Sequence, residues 1–570
     1  MAFIQSRTSR GKRYWSIVES RWIDGKSRPY ILEYLGTAQS LFARLREQRD
    51  VMIRSYTHGD SAALINIAIE LNIVGIINRH IPQSKNGKKP KRDGFTVGAS
   101  FLLAALGRAC HPTSKMGWYE WCKTTSLEYS LKSSFKKLTS QHFWDQMNSL
   151  PVEKIEAIEE EIVKKLIEKY DIKLDTLLFD TTNFFTFIDS ENSKCTIAKR
   201  GKQKQKRYDL RQVGLALLVT KENQFPLFHK TYQGNKNDSK LFKEEFADLI
   251  KRLTAVTKEL SDVTFVFDKG NNSKKNFKLI DEEEDLHYVG SLVPSYFNDL
   301  IKKANKSFKE VEIGDEKIPA YRTKEEIWGK ERTCIALISE QLKDGQIRGI
   351  HQVLEKKYKK LQKFKDQLEN PKSRKTFDNK QIEERLEKII VGQFIKDILK
   401  YDLCSICGKL SFDYYIDDTA FDNLKDNILG RRILVTNRSD WSTEEIILAY
   451  RAQSKIEYAF RCMKNPFHLP VRPQFHWTDQ KIEAHFFICI IAYLLTVAAY
   501  TKAKSQGKYT RNIQNFMEDL HQIRLATIVN NKGKKKVRYQ LEQMPKNIIS
   551  LADALDITNH NIRQKLNLSV

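Results

Sequence analysis

Two aspartates with similar surroundings are the first residues in this sequence that could do chemistry. Asp180 follows the apolar run LLF, and Asp268 follows the apolar run FVF. Such runs predict short buried strands that end in a carboxylate. Burying an unpaired carboxylate is costly, and a bound cation would lower that cost. A single aspartate of this kind could simply cap a turn, but two in the same context favour a cation site.

A third acid, Glu457, lies in a segment with helical spacing. Tyr450, Glu457 and Lys464 are seven residues apart. One continuous helix over residues 443–464 would therefore carry all three on one face, because seven residues make about two turns. Arg461 lies one turn from Glu457. The alternative interpretation is an ordinary amphipathic helix with a Glu–Arg pair.

Three converging acids fit the chemistry of phosphodiester cleavage and transfer. Charge must be neutralised at both the attacking and the leaving oxygen, and two divalent metal ions held by carboxylates can do this. Mg²⁺ accepts a few carboxylates together with water and substrate oxygens. Asp180, Asp268 and Glu457 are therefore the candidate catalytic and metal-binding residues, with Mg²⁺ or Mn²⁺, in two copies, as the expected cofactor.

These residues resemble a known family, the bacterial insertion-sequence transposases of the DDE type, in the IS-four superfamily and its IS-sixteen-thirty-four branch. The segments that carry the resemblance are Asp180-Thr-Thr, Asp268-Lys-Gly270 and the run from Tyr450 through Glu457 to Lys464. Two positions depart from the family pattern. Gln453 stands where the family has Arg, and Lys269 replaces the commoner Arg. We expect Gln453 to border the same cleft as Tyr450.

The resemblance implies an enzyme that cuts the ends of its own element and joins them to target DNA. The partner that it implies is double-stranded DNA, namely the terminal inverted repeats and the target. A homodimer would bind this DNA in a synaptic complex. The residues expected to contact DNA are Tyr450, Arg451, Gln453, Arg461, Lys464, Lys269, Arg207 and Lys115. Recognition of the ends is expected mainly in the first 170 residues.

The order of elements predicts a multidomain α/β protein. The resemblance implies a ribonuclease-H-like mixed sheet with an insertion between the second and third acids, plus helical DNA-binding domains. The expected parts are a β-hairpin element (1–50), a helical DNA-binding or dimerisation domain (51–170), the first part of the catalytic domain (171–293), an insertion of strands and a helical hairpin (294–440), the second catalytic part with the Glu helix (441–500) and a basic helical region (501–570).

Composition agrees with a polyanionic partner. The 570 residues carry 97 Lys and Arg against 71 Asp and Glu, a net charge of +26. Such an excess costs self-repulsion and favours binding to nucleic acid. Three basic runs, at 85–92, 199–207 and 532–538, are consistent with this, although each alone could be a solvated loop.

Location is predicted from what the sequence does and does not contain. Eight scattered cysteines, with a single CxxC at Cys404 and Cys407, favour reduced thiols over a disulfide framework or zinc site. The opening residues have no apolar signal core. The apolar run Phe486–Tyr500 is short for a membrane span and predicts a buried helix. We expect a cytoplasmic bacterial protein, associated with the nucleoid when bound to DNA, without a membrane partner.

Two other functions are alternatives for these residues, a nuclease and a DNA-binding protein without catalysis. A nuclease on the same scaffold would need the three acids but would not join DNA ends, so a strand-transfer assay separates it. A domesticated DNA-binding protein without catalysis is disfavoured because all three acids are present. Terminal inverted repeats beside the gene would support transposition.

Overall fold

The computed structural model describes residues 2–23, 26–49, 51–83, 87–112, 114–189, 191–201, 207–236, 238–257, 261–268, 274–283, 285–370, 377–406, 409–465, 469, 471, 475–530 and 537–558. Lys269, Cys407 and parts of the three basic runs (85–86, 202–206 and 532–536) lie outside these residues.

The described chain contains both strands and helices throughout its length. The strands are β1 (Ala2–Ser9), β2 (Lys12–Ile23), β3 (Lys26–Thr37), β4 (Val51–Thr57), β5 (Lys91–Arg92), β6 (Phe95–Thr96), β7 (Thr176–Thr186), β8 (Arg211–Thr220), β9 (Pro226–Gln233), β10 (Val263–Val266), β11 (Leu286–Leu292), β12 (Lys309–Ile313), β13 (Glu316–Ile327), β14 (Lys330–Ile338), β15 (Leu399–Ile406), β16 (Lys409–Ile416), β17 (Arg431–Thr436), β18 (Arg524–Asn530) and β19 (Val537–Leu541).

The α-helices are α1 (Ala38–Arg49), α2 (Gly59–Glu70), α3 (Ile73–His80), α4 (Val97–Cys110), α5 (Trp118–Cys122), α6 (Leu127–Ser130), α7 (Ser140–Asn148), α8 (Ile155–Tyr170), α9 (Asp238–Val256), α10 (Lys274–Asp281), α11 (Asn298–Asn305), α12 (Glu340–Glu369), α13 (Asn379–Ile390), α14 (Ile395–Ile398), α15 (Asp418–Asn427), α16 (Thr443–Arg451), α17 (Gln453–Lys464), α18 (Asp479–Ser505), α19 (Ile513–His521) and α20 (Lys546–Ala554).

The chain divides into two compact units. The first unit comprises Met1–Lys169, Phe185–Thr196 and Cys462–Val570, and the second comprises Tyr170–Phe184 and Ile197–Arg461. Each unit therefore combines segments that are distant in sequence.

The first unit is built around the long apolar helix α18. This helix packs against α4, α2 and α7, and its rings include Phe487, which lies 6.1 Å from Phe101 of α4. By length and composition α18 could cross a membrane, as could the bent pair α2–α3 taken together, but 94% of the apolar window of α18 is buried inside the structure. The prediction of a buried core helix at 486–500 is confirmed.

Two three-stranded sheets flank the helices of the first unit. The opening hairpin predicted at 13–35 is confirmed as β2 and β3, with β1 pairing on the other side of β2. In the second sheet, β18 lies between β4 and β19 and pairs antiparallel with both. The sequence predicted helices in both these regions and neither β4 nor β18, because pairing between strands so far apart in sequence leaves no local signal.

The second unit is organised by a nine-stranded mixed sheet. Its order is β12-β13-β14-β17-β11-β10-β7-β8-β9. β10 pairs parallel with both β7 and β11, while β8–β9, β11–β17, β14–β17 and the β12-β13-β14 meander are antiparallel. The strands predicted near 213–220, 225–232, 263–267 and 288–293 and the helix predicted at 239–257 are confirmed as β8, β9, β10, β11 and α9.

The segment predicted as an insertion, 294–440, is divided in the structure. Its strands β12, β13 and β14 hydrogen-bond into the large sheet, followed by β17. Between them, α12 to α15 and the β15–β16 hairpin enclose a separate apolar core. The predicted helical hairpin is confirmed: α12 and α13 contact each other, and Leu354, Leu361, Phe364 and Leu368 of α12 are buried.

Candidate active site

Asp180 lies within β7, and Asp268 follows the end of β10, the parallel neighbour of β7 in the large sheet. In the register of the two strands, Thr176 pairs with Thr264 and Leu178 with Val266. Each aspartate therefore comes two residues after a member of the last pair, Leu178 and Val266. Because side chains alternate along a strand, Asp180 is on the same face of β7 as Leu178. Each is half-buried.

The expectation that both aspartates end their strands is wrong for Asp180. Asp268 does follow the end of β10, but Asp180 lies in the middle of β7, which continues to Thr186. The continuation TTNFFT is rich in β-branched and aromatic residues, which favour strands. The Thr181 amide donates to Asp180 Oδ1 at 2.8 Å.

Tyr450 is buried against Asp268. Its side chain is 7% exposed, and its hydroxyl donates a long hydrogen bond to Asp268 Oδ1 at 3.4 Å. The Arg432 guanidinium lies 5.1 Å from the centre of its ring. Burial raises the pKa of Tyr450, which keeps the phenol protonated and able to donate. The structure therefore places Tyr450 beside the second acid, inside the fold rather than on its surface.

The single helix predicted over 443–464 is wrong, because the structure has two helices that meet at Ala452. The predicted start is confirmed, since Ser442 and Glu445 form a capping box. At the break, the Ser454 hydroxyl donates to the Arg451 carbonyl at 2.9 Å, and the Lys455 amide donates to the Ala452 carbonyl, three residues back. Such side-chain bonds to the backbone compete with the regular helix pattern.

The side chains along the two helices differ in exposure. Tyr450 is buried, Glu457 and Arg461 are exposed, and Lys464 is half-buried. Tyr450, Glu457 and Lys464 are therefore not equally accessible to a DNA strand. The boundary between the two compact units also falls after Arg461, so Lys464 belongs to the first unit.

Metal binding is supported by the two aspartates more than by the glutamate. Oxygen ligands from two adjacent carboxylates suit Mg²⁺ or Mn²⁺. Across the described ranges, however, no group of three or more His, Cys, Asp or Glu side chains is placed to hold a metal ion. Asp180 and Asp268 thus fit two ligand positions of the expected site, and the third position, predicted for Glu457, is not assembled in this structure.

Gln453 differs most from its expected position. The sequence predicts that it borders a DNA-binding cleft, but its side chain is only 5% exposed. Its Nε2 is buried and has no hydrogen-bond partner in the part of the chain that the structure describes.

The other predicted DNA contacts are spread over both units. In the second unit, Arg451 is exposed and forms an ion pair with Glu316 at 3.0 Å. Exposed Arg461 lies over its neighbour Tyr458 at 5.3 Å from the ring centre.

Arg207 and Lys115 differ in exposure. Arg207 is exposed in the second unit and forms two hydrogen bonds with Asp209, at 2.9 and 2.7 Å. Lys115, in the first unit, is half-buried and its ammonium donates to His476 Nε2 at 3.0 Å. Of these two residues, only Arg207 is therefore exposed in the way that a contact with DNA requires.

Sequence reasoning missed Arg432, whose charge faces the ring of Tyr450. It lies on β17, within an apolar strand that gives no sign of a site. It also missed that Lys115 shares a buried pocket with residues from α4 and α18. Nothing in the sequence brings Arg108, Lys115 and His485 together.

Comparison with known proteins identifies the family but gives little fold-level detail. No curated protein sequence matches this chain. Solved structures with some likeness include the piggyBac transposase synaptic complex with hairpin DNA, at 10% identity and a TM-score of 0.37, covering 80% of this chain and 79% of that one. Another is the Mos1 transposase paired-end complex with left transposon end, at 11% identity and a TM-score of 0.16, covering 38% and 64%.

One family match covers more than half of the sequence. Residues 184–495, which are 312 of the 570, match the family described as "Transposase DDE domain". The match includes Asp268 and Glu457 and begins four residues after Asp180. Since it spans more than half of the sequence, the chain belongs to the transposase DDE domain family.

Proposed function

We propose that this protein is a DNA transposase that cleaves the ends of its element and joins them to target DNA. The observation that carries the proposal is the placement of Asp180 within β7 and of Asp268 just after the parallel neighbouring strand β10, in a member of the transposase DDE domain family. The strand order β9-β8-β7-β10-β11, in which β8 and β9 are antiparallel and β10 is parallel to both β7 and β11, supports a ribonuclease-H-like catalytic core. The bacterial IS-four assignment rests on the sequence resemblance.

In this proposal Asp180 and Asp268 hold Mg²⁺ or Mn²⁺, and Glu457 is the third ligand. The metal, when bound, would neutralise charge on the attacking and leaving oxygens of the phosphodiester. Tyr450 orients the Asp268 carboxylate through its hydroxyl. Glu457, exposed on α17, would have to be brought toward the aspartates when DNA and metal bind.

The proposed partners are the terminal inverted repeats and target DNA, bound by a homodimer. A net charge of +26 supports a polyanionic partner. Exposed Arg451, Arg461 and Arg207 are the described residues best placed for phosphate contacts, and Lys269 and Lys464 are proposed on the resemblance. Such a protein would work in the bacterial cytoplasm, on the nucleoid.

A cleavage and strand-transfer assay tests the function. A labelled duplex carrying the element end is incubated with the full chain and a target plasmid, with Mg²⁺, with Mn²⁺ or with excess chelator. We expect end cleavage and joined products that disappear with chelator. Cleavage without joining would make the protein a nuclease, and specific binding without either product would make it a DNA-binding protein only.

A further inference from the structure

A cluster of basic side chains lies inside the first unit. Arg108 comes from α4, Lys115 from the loop that follows it, His476 from the segment before α18, and Lys481 and His485 from α18 itself. Arg108, Lys115 and His485 line one pocket, whose walls also include Ala104, Gly107, Ser114, Trp118, Phe143 and Ile488. Exposed Ser114 marks its outer edge.

Two stacked histidines form one side of this cluster. The rings of His476 and His485 are 4.3 Å apart, and the two residues are 3% and 0% exposed. His476 Nε2 accepts from the Lys115 ammonium, so a neutral His476 carries its proton on Nδ1. His485 Nε2 donates to the Val471 carbonyl at 2.8 Å. Both Nδ1 atoms are buried and have no hydrogen-bond partner among the described residues.

The two lysines are held by the ring of Trp144. The Lys115 and Lys481 ammonium groups lie 4.9 and 5.4 Å from the centre of this indole. A ring face attracts cations but does not neutralise them. Two ammonium groups converging on one indole beside Arg108 are a costly arrangement for a purely structural core.

The cost is visible in the proton affinities of these groups. Burial, with repulsion from Arg108 and Lys481, lowers the pKa of Lys115 to about 7. Burial alone lowers the pKa of Lys481 to about 8, and burial with the nearby cations lowers the pKa of His476 and His485 well below the ordinary value. Burial raises the pKa of the Cys489 thiol, which therefore supplies no negative charge at neutral pH. Asp479 and Glu483, both half-buried, are the acids on this part of α18.

We propose that this pocket binds one phosphate group of a DNA strand. The donors would be the Lys115 ammonium and the Arg108 guanidinium, both of which line the pocket and can form charge-assisted hydrogen bonds. His476 would position Lys115 through its Nε2. The inference rests on the proposed function, because it takes DNA as the source of the phosphate. It adds a second binding site, which lies in the first unit.

Binding a phosphate here is coupled to proton uptake. Near pH 7 Lys115 is only partly charged, and an adjacent anion raises its pKa. Below about pH 7 the lysine is already charged and affinity is flat with pH. Above pH 7 each binding event takes up a proton, so the dissociation constant rises by up to about tenfold per pH unit until the raised pKa of the complex is reached.

The test measures DNA binding by the full chain in chelator, at constant ionic strength, from pH 6 to pH 9. Lys115→Gln should weaken binding roughly tenfold at pH 6 and remove the pH dependence. Lys115→Arg, which keeps its charge at every pH, should retain binding and also lose the pH dependence. Lys123→Gln is the matched control, since Lys123 is an exposed lysine paired with Glu120 at 2.6 Å, and it should behave as the unmodified chain does.

A second arm uses inorganic phosphate and the melting temperature of the same proteins. Phosphate should raise the melting temperature of the unmodified chain and of Lys123→Gln more than that of Lys115→Gln. If it does, but Lys115→Gln leaves DNA binding unchanged, the pocket takes free phosphate and the DNA assignment is wrong. If neither phosphate nor DNA distinguishes the variants, the pocket is not an anion site.

The two proposals fail in different ways. Because these measurements use chelator, they report binding without cleavage, and a negative result leaves metal-dependent cleavage by Asp180 and Asp268 to be judged separately. If the chain binds no DNA at all, the proposed function fails, while the phosphate arm still decides whether the pocket takes an anion.

Discussion

The carboxylate pair of the second unit and the basic pocket of the first unit withdraw charges of opposite sign from water. Asp180 within β7 and Asp268 just after β10 are both half-buried. In the basic pocket, residues as far apart in sequence as Arg108 and His485 meet in a core. Desolvation is costly in both places, and a ligand of opposite charge lowers the cost in each. In each region, the sign of the buried charge indicates the charge of the ligand that the region can bind.

The strongest test of the acidic half replaces one carboxylate at a time. Asp180→Asn and Asp268→Asn should each lower end cleavage on the order of a thousandfold or more, because one metal ligand is lost. DNA binding should change by less than about twofold, since the basic surface is intact. Asp189→Asn is the control, an exposed aspartate that accepts a hydrogen bond from the Glu191 amide. An Asp268→Asn protein that cleaves normally would remove Asp268 from the site.

A smaller but still large effect is expected at Glu457. Glu457→Gln should lower cleavage on the order of a hundredfold and raise the Mn²⁺ concentration needed for half-maximal rate, because a ligand oxygen is lost. Glu444→Gln, which changes an exposed acid on the neighbouring helix α16, should have no such effect. Equal behaviour of the two variants would show that the two aspartates work without Glu457.

Tyr450→Phe tests the contact that orients Asp268. Removing the hydroxyl should lower the cleavage rate about tenfold, as for other partners that orient a metal ligand, with little change in DNA binding. Because burial raises the pKa of Tyr450, the hydroxyl stays protonated between pH 6 and pH 9, and the ratio of the two rates should be constant over that range. A ratio that changes with pH would mean that Tyr450 itself exchanges a proton.

The smallest effect on cleavage is expected at Gln453. The sequence resemblance alone suggests that Arg at this position would preserve or raise binding of DNA ends. The burial of Gln453 predicts instead that Arg would destabilise the fold. Gln453→Arg should lower the free energy of unfolding by about 1–3 kcal/mol, because a guanidinium must be forced into a closed site. Gln453→Met should leave it unchanged or slightly higher, since an unpaired buried amide is removed. Denaturant unfolding of the three proteins measures this, and a more stable Gln453→Arg protein would contradict the burial of the side chain.

The sequence predicted best where the signal is local. The capping box at Ser442, the hairpin of β2 and β3, the buried positions of α12 and the strands β8 to β11 were all predicted and are confirmed. Each depends on periodicity, turn residues or capping within about thirty residues.

Predictions failed where tertiary contacts override the local pattern. Nothing in the letters YRAQSKIE shows that the helix stops at Ala452, because the break depends on one side-chain bond and one tight turn. The sequence predicts that Gln453 borders a cleft, whereas its side chain is buried in the structure. The basic pocket was also out of reach, because its lysines and histidines look like ordinary loop and helix residues until the fold brings them together.

The pairing of β4 with β18 imposes an order on synthesis. Arg524, which pairs with Thr57, is 467 residues further along the chain. At ribosomal rates of about 5–20 residues per second, β4 waits roughly half a minute to a minute and a half for its partner. An unpaired strand during that time is a template for pairing with other chains. A product that terminates before α18 would lack β18 and also this helix, against which α2 and α4 pack. Such a truncated product should aggregate and be degraded instead of persisting as an inactive competitor at DNA ends.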